Sequence, residues 1–573
     1  MIRRSAELED GATLRADLCV VGAGPAGISI ACEMLGSGLS VILLEVGQRS
    51  FAKAAQAGLS GEVAAGSAHS PPDMYRRRVL GGASSIWGGR CVPLDPIDLE
   101  PRDHVPHSGW PINWLELERY YRRAQPYFEA GDFEYSVASS LGAAAPETIE
   151  GFQHPDILTD RLERFSPPTD FGRRFGQALI ESPDIVVLLE TEALRLVAAD
   201  AAPCTRVTTL EAASAGKRLN VRAERYVLAA GGLETPRLLM LSDPSRRGGL
   251  GNEGQALGRY YMCHLENTLG RLQLLPKERP IALHFERLAD AVYTRRKLAL
   301  SAAAQRRERL LNTAFRLHYP PISDPSHRSG ILSSVYLLKD SVLPEYRRKL
   351  ATIEIAKRDT LRRDARFWLA HGGNVLRDLP AVSWFCVDWT RRRVVARRKL
   401  PFVVVDSRIG VYPFDVNAEQ VPNQDSRVVL AERTDRHGRR MVKVDWRMAS
   451  QDTDSLVRTM RLLQRGFAAS GVARLDFDDG LEDAVAASTP VGGHHIGTAR
   501  MSESPRDGVV DANGAVHGVA NLFCAGSAVF PTCGHANPTL TLVALAVRLA
   551  DHLKAGHGKN AIRVPGEQAE AAA

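Results

Sequence analysis

The residues best suited to chemistry lie close to the end of the chain. Two adjacent histidines, His494 and His495, are followed further along by Asn537, which stands directly before a proline. Imidazoles bind metal ions or exchange protons near neutral pH, and a carboxamide both donates and accepts hydrogen bonds. The small residues around them allow backbone to approach a ligand closely. Their types predict a site, but they leave open whether a metal ion or a substrate occupies it.

A dinucleotide-binding unit is predicted at the opposite end of the chain. Residues 17–21 form an apolar run that is typical of a parallel strand buried on both faces, and an apolar-faced helix is expected over 28–35. The glycine-rich turn 22–27 lies between them, and a second strand, 40–44, ends at Glu45. A GxGxxG turn between a strand and a helix, with an acid about twenty residues further on, is the pattern of dinucleotide-binding folds.

Each residue of that turn has a predicted task. Gly22 permits the tight turn, Gly24 lets a pyrophosphate lie against backbone, and Gly27 allows close packing of helix and strand. Glu45 is placed to accept hydrogen bonds from a ribose diol. The position of this dinucleotide-binding unit at the extreme N-terminus favours FAD over NAD as the ligand. The cofactor-binding residues expected here are Gly22, Gly24, Pro25, Ala26, Gly27 and Glu45.

Two further glycine-rich segments are expected beside the cofactor. Residues 76–95 carry glycines, serines and one tryptophan, which suits a loop with backbone close to a flat ligand. Residues 225–230 predict a buried strand that leads into Gly231 and then into a helix starting near Pro236. The residues expected to contact the cofactor from these segments are Gly82, Ser84, Ser85, Trp87, Gly88, Gly89, Ala230 and Gly231.

The length and patterning predict an α/β protein of two domains. A chain of 573 residues is too long for one core. Strand-like segments between 185 and 230 lie at hairpin spacing, and 402–410, 411–420 and 426–432 alternate like antiparallel strands. We expect a two-dinucleotide-type FAD-binding Rossmann domain from residues 1–110, 185–262 and 485–560, and an α+β substrate domain with an antiparallel sheet from 111–184 and 263–484. A disordered tail is expected over 561–573.

Composition excludes several functional classes. The net charge of +7 is modest for this length, which argues against nucleic-acid binding. We predict no transmembrane segment, because the sequence has no long apolar run. We predict no cleavable signal peptide, because no apolar region follows the N-terminal arginines. We predict no metal site, because the histidines lack ligand spacing. A cytoplasmic location is expected, with periplasmic export on a signal-bearing partner subunit as the alternative.

One basic stretch, residues 345–401, is not explained by the cofactor unit. It is predicted to be helical over much of its length and combines many arginines with tryptophans and phenylalanines. A solvated helical face is the simplest interpretation, and a docking surface for a partner or an anionic membrane is the alternative.

With these motifs in hand, the chain resembles the glucose–methanol–choline (GMC) flavin oxidoreductases. The resemblance rests on GAGPAG, GGASSIWGG, LAAGGLETPRLL, AEQVPNQDSRVVL and all of residues 491–547. It is nearest to the branch of pyranose oxidase and bacterial sugar and glycoside dehydrogenases, whose histidine–asparagine pair has the spacing of HHIGTARM and GHANPTLT. The resemblance implies that His494 is the catalytic histidine, that Asn537 is its partner, and that His495 is a neighbour near the substrate.

The same resemblance implies the reaction and the cofactor. A secondary alcohol on a sugar or glycoside is oxidised to a ketone, with His494 as base and hydride transfer to FAD. Gly526, Ser527, Asn537, Pro538 and Thr539 are implied as further cofactor contacts. Pyranose oxidases attach FAD through a histidine directly before the loop tryptophan, and Ile86 stands there instead, so a non-covalent FAD is expected. The alternative is a tailoring enzyme for an aminosugar or another natural product; the electron acceptor, whether dioxygen, a quinone or a cytochrome partner, is left open.

Overall fold

We describe a computed structural model, in which residues 2–4, 8–201, 204–243, 248–342, 364–477 and 480–555 are described. The predicted tail and part of the basic stretch lie outside these residues. The strands, in chain order, are β1 Ile2–Arg4, β2 Ala12–Val21, β3 Val41–Leu44, β4 Glu62–Val63, β5 Arg90–Cys91, β6 Ile157–Phe165, β7 Ile185–Leu189, β8 Glu192–Ala201, β9 Cys204–Ser214, β10 Lys217–Leu228, β11 Leu265–Leu274, β12 Glu286–Arg287, β13 Tyr293–Leu300, β14 Thr313–Leu317, β15 Val411–Ala418, β16 Arg427–Thr434, β17 Arg440–Asp445, β18 Ala473–Asp476, β19 Thr489–Pro490 and β20 Leu522–Cys524.

The α-helices of the described residues are α1 Pro25–Glu33, α2 Lys53–Ala57, α3 Pro96–Leu99, α4 Trp114–Phe128, α5 Val137–Leu141, α6 Phe171–Glu181, α7 Gly231–Ser242, α8 Ala302–Glu308, α9 Gly330–Val342, α10 Ala365–Arg377, α11 Leu379–Trp389, α12 Ser450–Ser470, α13 Leu481–Ala486 and α14 Pro538–Lys554. A π-helical turn, Thr390–Val395, continues α11.

The first sheet is the predicted Rossmann sheet. Its strand order is β1-β7-β3-β2-β10-β9-β8, with β20 also paired to β10. Each strand of the series β1, β7, β3, β2 and β10 pairs in parallel with the next, and β20 pairs in parallel with β10. The strands β8, β9 and β10 form an antiparallel meander. Because parallel neighbours need a crossover, α1 carries the chain from β2 to β3. The α/β fold class expected from the sequence is confirmed.

The second sheet is antiparallel and has the order β18-β11-β15-β14-β13-β6-β5, with β12 beside β13 and β19 beside β11. Side chains alternate between its two faces. Leu298, Phe315 and Phe414 point to one face, where they join a buried cluster with Phe467 of α12. The other face is polar and lies toward the C-terminal segment that contains Asn537.

Two local predictions were wrong. Residues 402–410 form no strand, and β16 lies outside the antiparallel sheet, in a separate three-stranded sheet of order β16-β17-β4. The helix expected to start near Pro236 starts at Gly231, so that the proline lies inside it. A proline there leaves the carbonyl of Gly232 without its helical donor. The Thr498 hydroxyl donates to that carbonyl at 2.7 Å, which explains why the helix continues.

The predicted division into an FAD-binding and a substrate domain stays a prediction in its boundaries. The described residues contain no helix long and apolar enough to cross a membrane.

Candidate functional site

The glycine turn after β2 has the geometry that a pyrophosphate requires. Gly22 has φ +104°, a conformation that side chains disfavour, and a Cβ on Gly27 would lie 1.9 Å from the carbonyl oxygen of Gly22. A Cβ on Gly24, in contrast, would meet no protein atom within 4 Å. Gly24 is also the N-cap of α1 and offers no capping side chain, so the positive end of the helix dipole faces open space.

Glu45 closes the other side of that turn. Its two carboxylate oxygens accept hydrogen bonds from the backbone N–H groups of Ala23 at 3.1 Å and Gly47 at 2.7 Å. Burial raises the pKa of Glu45 to about 7, although these hydrogen bonds favour the carboxylate. The acid therefore helps to hold the turn. Its predicted contact with a ribose is not tested by this arrangement.

The loop 76–95 lies directly on the glycine turn. The N–H of Gly81 donates to the carbonyl of Ala23 at 2.8 Å, and a Cβ on Gly82 would lie 3.0 Å from Cα of Gly24. The loop also contains a short 3-10 turn, Gly82–Ser85, in which the hydroxyls of Ser84 and Ser85 donate to the carbonyls of Gly81 and Gly82. The structure thus brings two motifs that are distant in sequence onto one surface.

Trp87 and its neighbours form the far end of this loop. Its indole N–H donates to the carbonyl of Thr169 at 3.0 Å, and its ring packs against Phe128. Ile86 is exposed beside it. A Cβ on Gly88 would meet nothing within 4 Å, whereas Gly89 packs against backbone of the segment 166–168.

Three adjacent parallel strands end in open glycine positions. Gly24 follows β2, Gly231 follows β10 and Gly526 follows β20, and β10 pairs with both of the other strands. A Cβ at any of the three would meet no protein atom within 4 Å. Ligands of open α/β sheets bind at the carboxyl ends of such strands. This edge fits an elongated dinucleotide, and the residues present fit FAD.

Ala230 and Ser527 line the same edge. Ala230 is the N-cap of α7, and the Ser527 hydroxyl donates to the carbonyl of His495 at 2.7 Å. This hydrogen bond ties the cofactor edge to the histidine pair.

His494 lies between two polar side chains. Its Nδ1 is 2.8 Å from Nδ1 of His264, and its Nε2 is 3.1 Å from Nδ2 of Asn537. The predicted pair of His494 and Asn537 is therefore together in space. His264, at the start of β11, was not predicted, because an isolated histidine at that position carries no motif.

The direction of each hydrogen bond in the series from Asn537 through His494 and His264 follows from the end at Cys533. Burial lowers the pKa of His264 to about 4, so its imidazole is neutral and carries one proton. Its Nε2 lies 3.2 Å from the carbonyl of Cys533, and a carbonyl only accepts, so that proton is on Nε2. Nδ1 of His264 is then an acceptor, and Nδ1 of His494 must donate to it. Because Nδ2 of Asn537 only donates, Nε2 of His494 accepts from it and carries no proton.

Asn537 has one more atom to satisfy. Its Oδ1 is buried and has no hydrogen-bond partner among the described residues. The residue is the N-cap of α14, which begins at Pro538, so the first turn of that helix starts beside the histidines. The site thus combines a buried acceptor, an imidazole lone pair and a helix N-terminus.

His495 belongs to a second hydrogen-bonded chain. The Nδ1 of His69 lies 2.6 Å from the carbonyl of Ser70, and its Nε2 lies 2.8 Å from the hydroxyl of Tyr261, which is 2.7 Å from Nδ1 of His495. By the same reasoning, Tyr261 donates to His69 and accepts from His495. Burial lowers the pKa of His495 well below its ordinary value. His495 is therefore neutral, and its hydrogen bond to Tyr261 fixes its ring. Its contact with substrate stays a prediction.

The polar face of the antiparallel sheet covers the segment that precedes Asn537. Lys297 of β13 lies 3.1 Å from Nε2 of His535, and Asn417 of β15 donates to the carbonyl of His535 at 2.6 Å. Burial lowers the pKa of Lys297 to about 8, even though Asp95 favours its charge. These roof residues lie too far apart in sequence for spacing to reveal them.

The chain is similar in sequence and in fold to known proteins. Residues 422–546 match the GMC oxidoreductase family model. The chain is 23% identical to the 6'''-hydroxyparomomycin C oxidase of Streptomyces lividus, over 96% of this chain and 94% of the relative. It is 22% identical to the paromamine 6'-oxidase of Streptomyces fradiae, over 93% and 90%. The structure of pyridoxine 4-oxidase from Mesorbium loti superposes with a TM-score of 0.52 at 16% identity, over 95% of this chain and 100% of that one.

Proposed function

We propose that this chain is an FAD-dependent GMC oxidoreductase that oxidises a secondary alcohol of a sugar or glycoside to a ketone. The observation that supports this most directly is the unprotonated Nε2 of His494, which faces the Asn537 amide at 3.1 Å. A substrate hydroxyl that replaces the amide as the donor to Nε2 has an acceptor for its proton, and its oxygen can accept from the displaced Nδ2–H of Asn537.

In the proposed reaction His494 is the general base. The substrate hydroxyl donates to Nε2 of His494, and its oxygen accepts from Nδ2 of Asn537. When His494 takes the proton, its Nδ1–H continues to donate to neutral His264, and this hydrogen bond stabilises the imidazolium. Bound FAD supplies the acceptor for the hydride that leaves the carbinol carbon as the carbonyl forms.

The proposal also assigns the residues that hold FAD. The open glycine edge and the loop 76–95 would hold the dinucleotide, and the N-terminus of α14 would favour negative charge on a flavin bound beside it. The cofactor contacts proposed are Gly22, Gly24, Pro25, Ala26, Gly27, Glu45, Gly82, Ser84, Ser85, Trp87, Gly88, Gly89, Ala230, Gly231, Gly526, Ser527, Asn537, Pro538 and Thr539. Ile86 has no nucleophilic atom, so we propose that FAD is bound non-covalently.

An aminosugar is the alternative substrate. Two relatives that align over nine-tenths or more of both chains bear the names of paromomycin and paromamine oxidases. The proposed base chemistry is the same for either substrate, since the reacting group is a hydroxyl in both.

Anaerobic mixing of the holoenzyme with a panel of sugars, glycosides and aminosugars tests the proposal. A productive substrate bleaches the flavin absorption, and analysis of the product locates the new carbonyl. A His494→Asn protein that keeps its FAD is expected to reduce it at least about 100-fold more slowly, the usual contribution of a general base. Reduction of this variant at the wild-type rate would exclude His494 as the base, and no bleaching by any alcohol would exclude alcohol oxidation.

A further inference from the structure

Three helices form a lobe that the proposed chemistry does not use. Helices α9, α10 and α11 with its π-helical turn lie between the neighbouring roof strands β14 and β15 in sequence. We call residues 330–342 and 364–401 the helical lobe. A small core holds the lobe together with the segments on either side of it: Leu332, Tyr336 and Phe367 belong to the lobe, and Tyr319, Ile322 and Val405 belong to the flanking segments. The lobe is therefore a distinct packed unit attached to the roof sheet.

The outer surface of the helical lobe is apolar to an unusual degree. Leu369, Leu376, Trp384 and Val395 are each at least 70% exposed. Most of the large hydrophobic side chains that are exposed among the described residues belong to this lobe; its others are Leu337, Leu338, Trp368, Leu379, Val387 and Val394. Soluble surfaces rarely collect so many large apolar side chains without a partner.

The exposed residues of α11 follow helical spacing. Trp384, Val387 and Arg391 are separated by three and four residues, so they lie along one side of the helix, with Val394 and Val395 in the turn beyond. On the inner side, Val382 is buried against the lobe. The helix thus presents an apolar stripe outward, the reverse of a normal surface helix.

The charge of the chain is concentrated in the same region. The helical lobe contains nine Lys and Arg against four Asp and Glu, a net charge of +5, whereas the whole chain carries +7. The exposed cations of the described part are Arg366, Arg377, Arg391, Arg397 and Lys399.

We propose that the helical lobe docks onto the surface of a membrane that contains anionic lipids. Exposed leucines and tryptophans interleaved with arginines match the acyl–headgroup boundary, where apolar side chains enter the bilayer and cations meet lipid phosphates. In a symmetric dimer through the same surface, this positive patch would face a copy of itself. A nucleic acid would match the charge, but it gives no reason for exposed residues such as Leu369 and Leu376.

Flotation of the FAD-loaded full-length chain with lipid vesicles tests this surface. We expect binding to phosphatidylcholine vesicles that contain about 30% phosphatidylglycerol, and little to phosphatidylcholine alone. Raising the salt from about 0.1 M to about 0.5 M should weaken this binding, because screening shortens the reach of surface charge.

Variants separate the apolar from the charged contribution. Leu376→Ser should weaken vesicle binding by about tenfold, and Leu115→Ser, an equally exposed leucine on α4, should not change it. Combined Arg391→Gln, Arg397→Gln and Lys399→Gln changes should weaken it by about 100-fold. Flavin reduction should stay at the wild-type rate in all of these proteins.

Three results would overturn the proposal. The first is the absence of binding to anionic vesicles at low salt. The second is equal binding by Leu376→Ser and Leu115→Ser. The third is a dimer in sedimentation velocity that Leu376→Ser dissociates while vesicles remain unbound, which would assign the surface to a second copy of the chain.

Discussion

The hydrogen bond between His264 and His494 gives the sharpest test of the site. In His264→Leu the acceptor at 2.8 Å from Nδ1 of His494 is lost, while a side chain of similar bulk fills the space. Nδ1–H of His494 then loses the acceptor that His264 provides, in a part-buried position. Leaving such a donor unpaired costs about 1–3 kcal/mol.

That cost decides where the proton of His494 lies. The alternative tautomer carries the proton on Nε2, donates to Oδ1 of a rotated Asn537, and offers no lone pair to a substrate. At about 1.4 kcal/mol for each factor of ten, the reactive tautomer becomes about 5- to 150-fold less populated. We expect the rate of flavin reduction to fall by the same factor.

Anaerobic stopped-flow reduction of the bound flavin measures this effect. His264→Asn is the matched control, because its amide oxygen can take the place of the imidazole Nδ1 and accept from His494. It should reduce within about tenfold of the wild-type rate. The pH dependence of reduction adds a second measure: loss of the acceptor also destabilises the imidazolium, so His494 should be protonated only at lower pH and the acidic limb of the profile should move to lower pH.

Two results would refute this reasoning. One is a folded, FAD-containing His264→Leu protein that reduces at the wild-type rate. The other is equal slowing of the leucine and asparagine variants with unchanged pH profiles, which would indicate a packing role only.

Three further predictions concern the fold and the cofactor edge. Gly24→Ala should fold but lose FAD on gel filtration, because its Cβ meets no protein atom and would occupy the ligand side, whereas Gly372→Ala, equally open but on α10, should keep FAD. Thr498→Val should lower the free energy of unfolding by about 1–3 kcal/mol in urea titrations, because the buried Gly232 carbonyl loses its donor. The unfolded chain protonates His264 at its ordinary pKa of 6.5, whereas the folded chain protonates it only near pH 4. The free energy of unfolding therefore decreases as the pH falls from 6.5 to 4. His264→Asn should lose about 3 kcal/mol less of this free energy over the same interval.

The sequence by itself determined the cofactor unit and the fold class. Short-range rules are sufficient there: the turn 22–27 connects a strand to a helix within a few residues, and each glycine answers a local steric need. The pair of His494 and Asn537 was also accessible, because both residues lie in short recognisable motifs. Local rules failed at 402–410, where alternation without a strand partner produced no strand, and at Pro236, where a distant threonine satisfies the carbonyl that proline leaves open.

Only the tertiary structure decided how the histidines are held. His264 and His494 are separated by 230 positions in the chain, and their contact depends on β11 lying against the C-terminal segment. The same holds for Tyr261 behind His495 and for Lys297 above His535. Hydrogen-bond roles follow from which donor meets which acceptor in space, so no spacing in the sequence could assign the proton of His494. The residue types set which hydrogen bonds were available, and packing selected which nitrogen of His494 donates and which accepts.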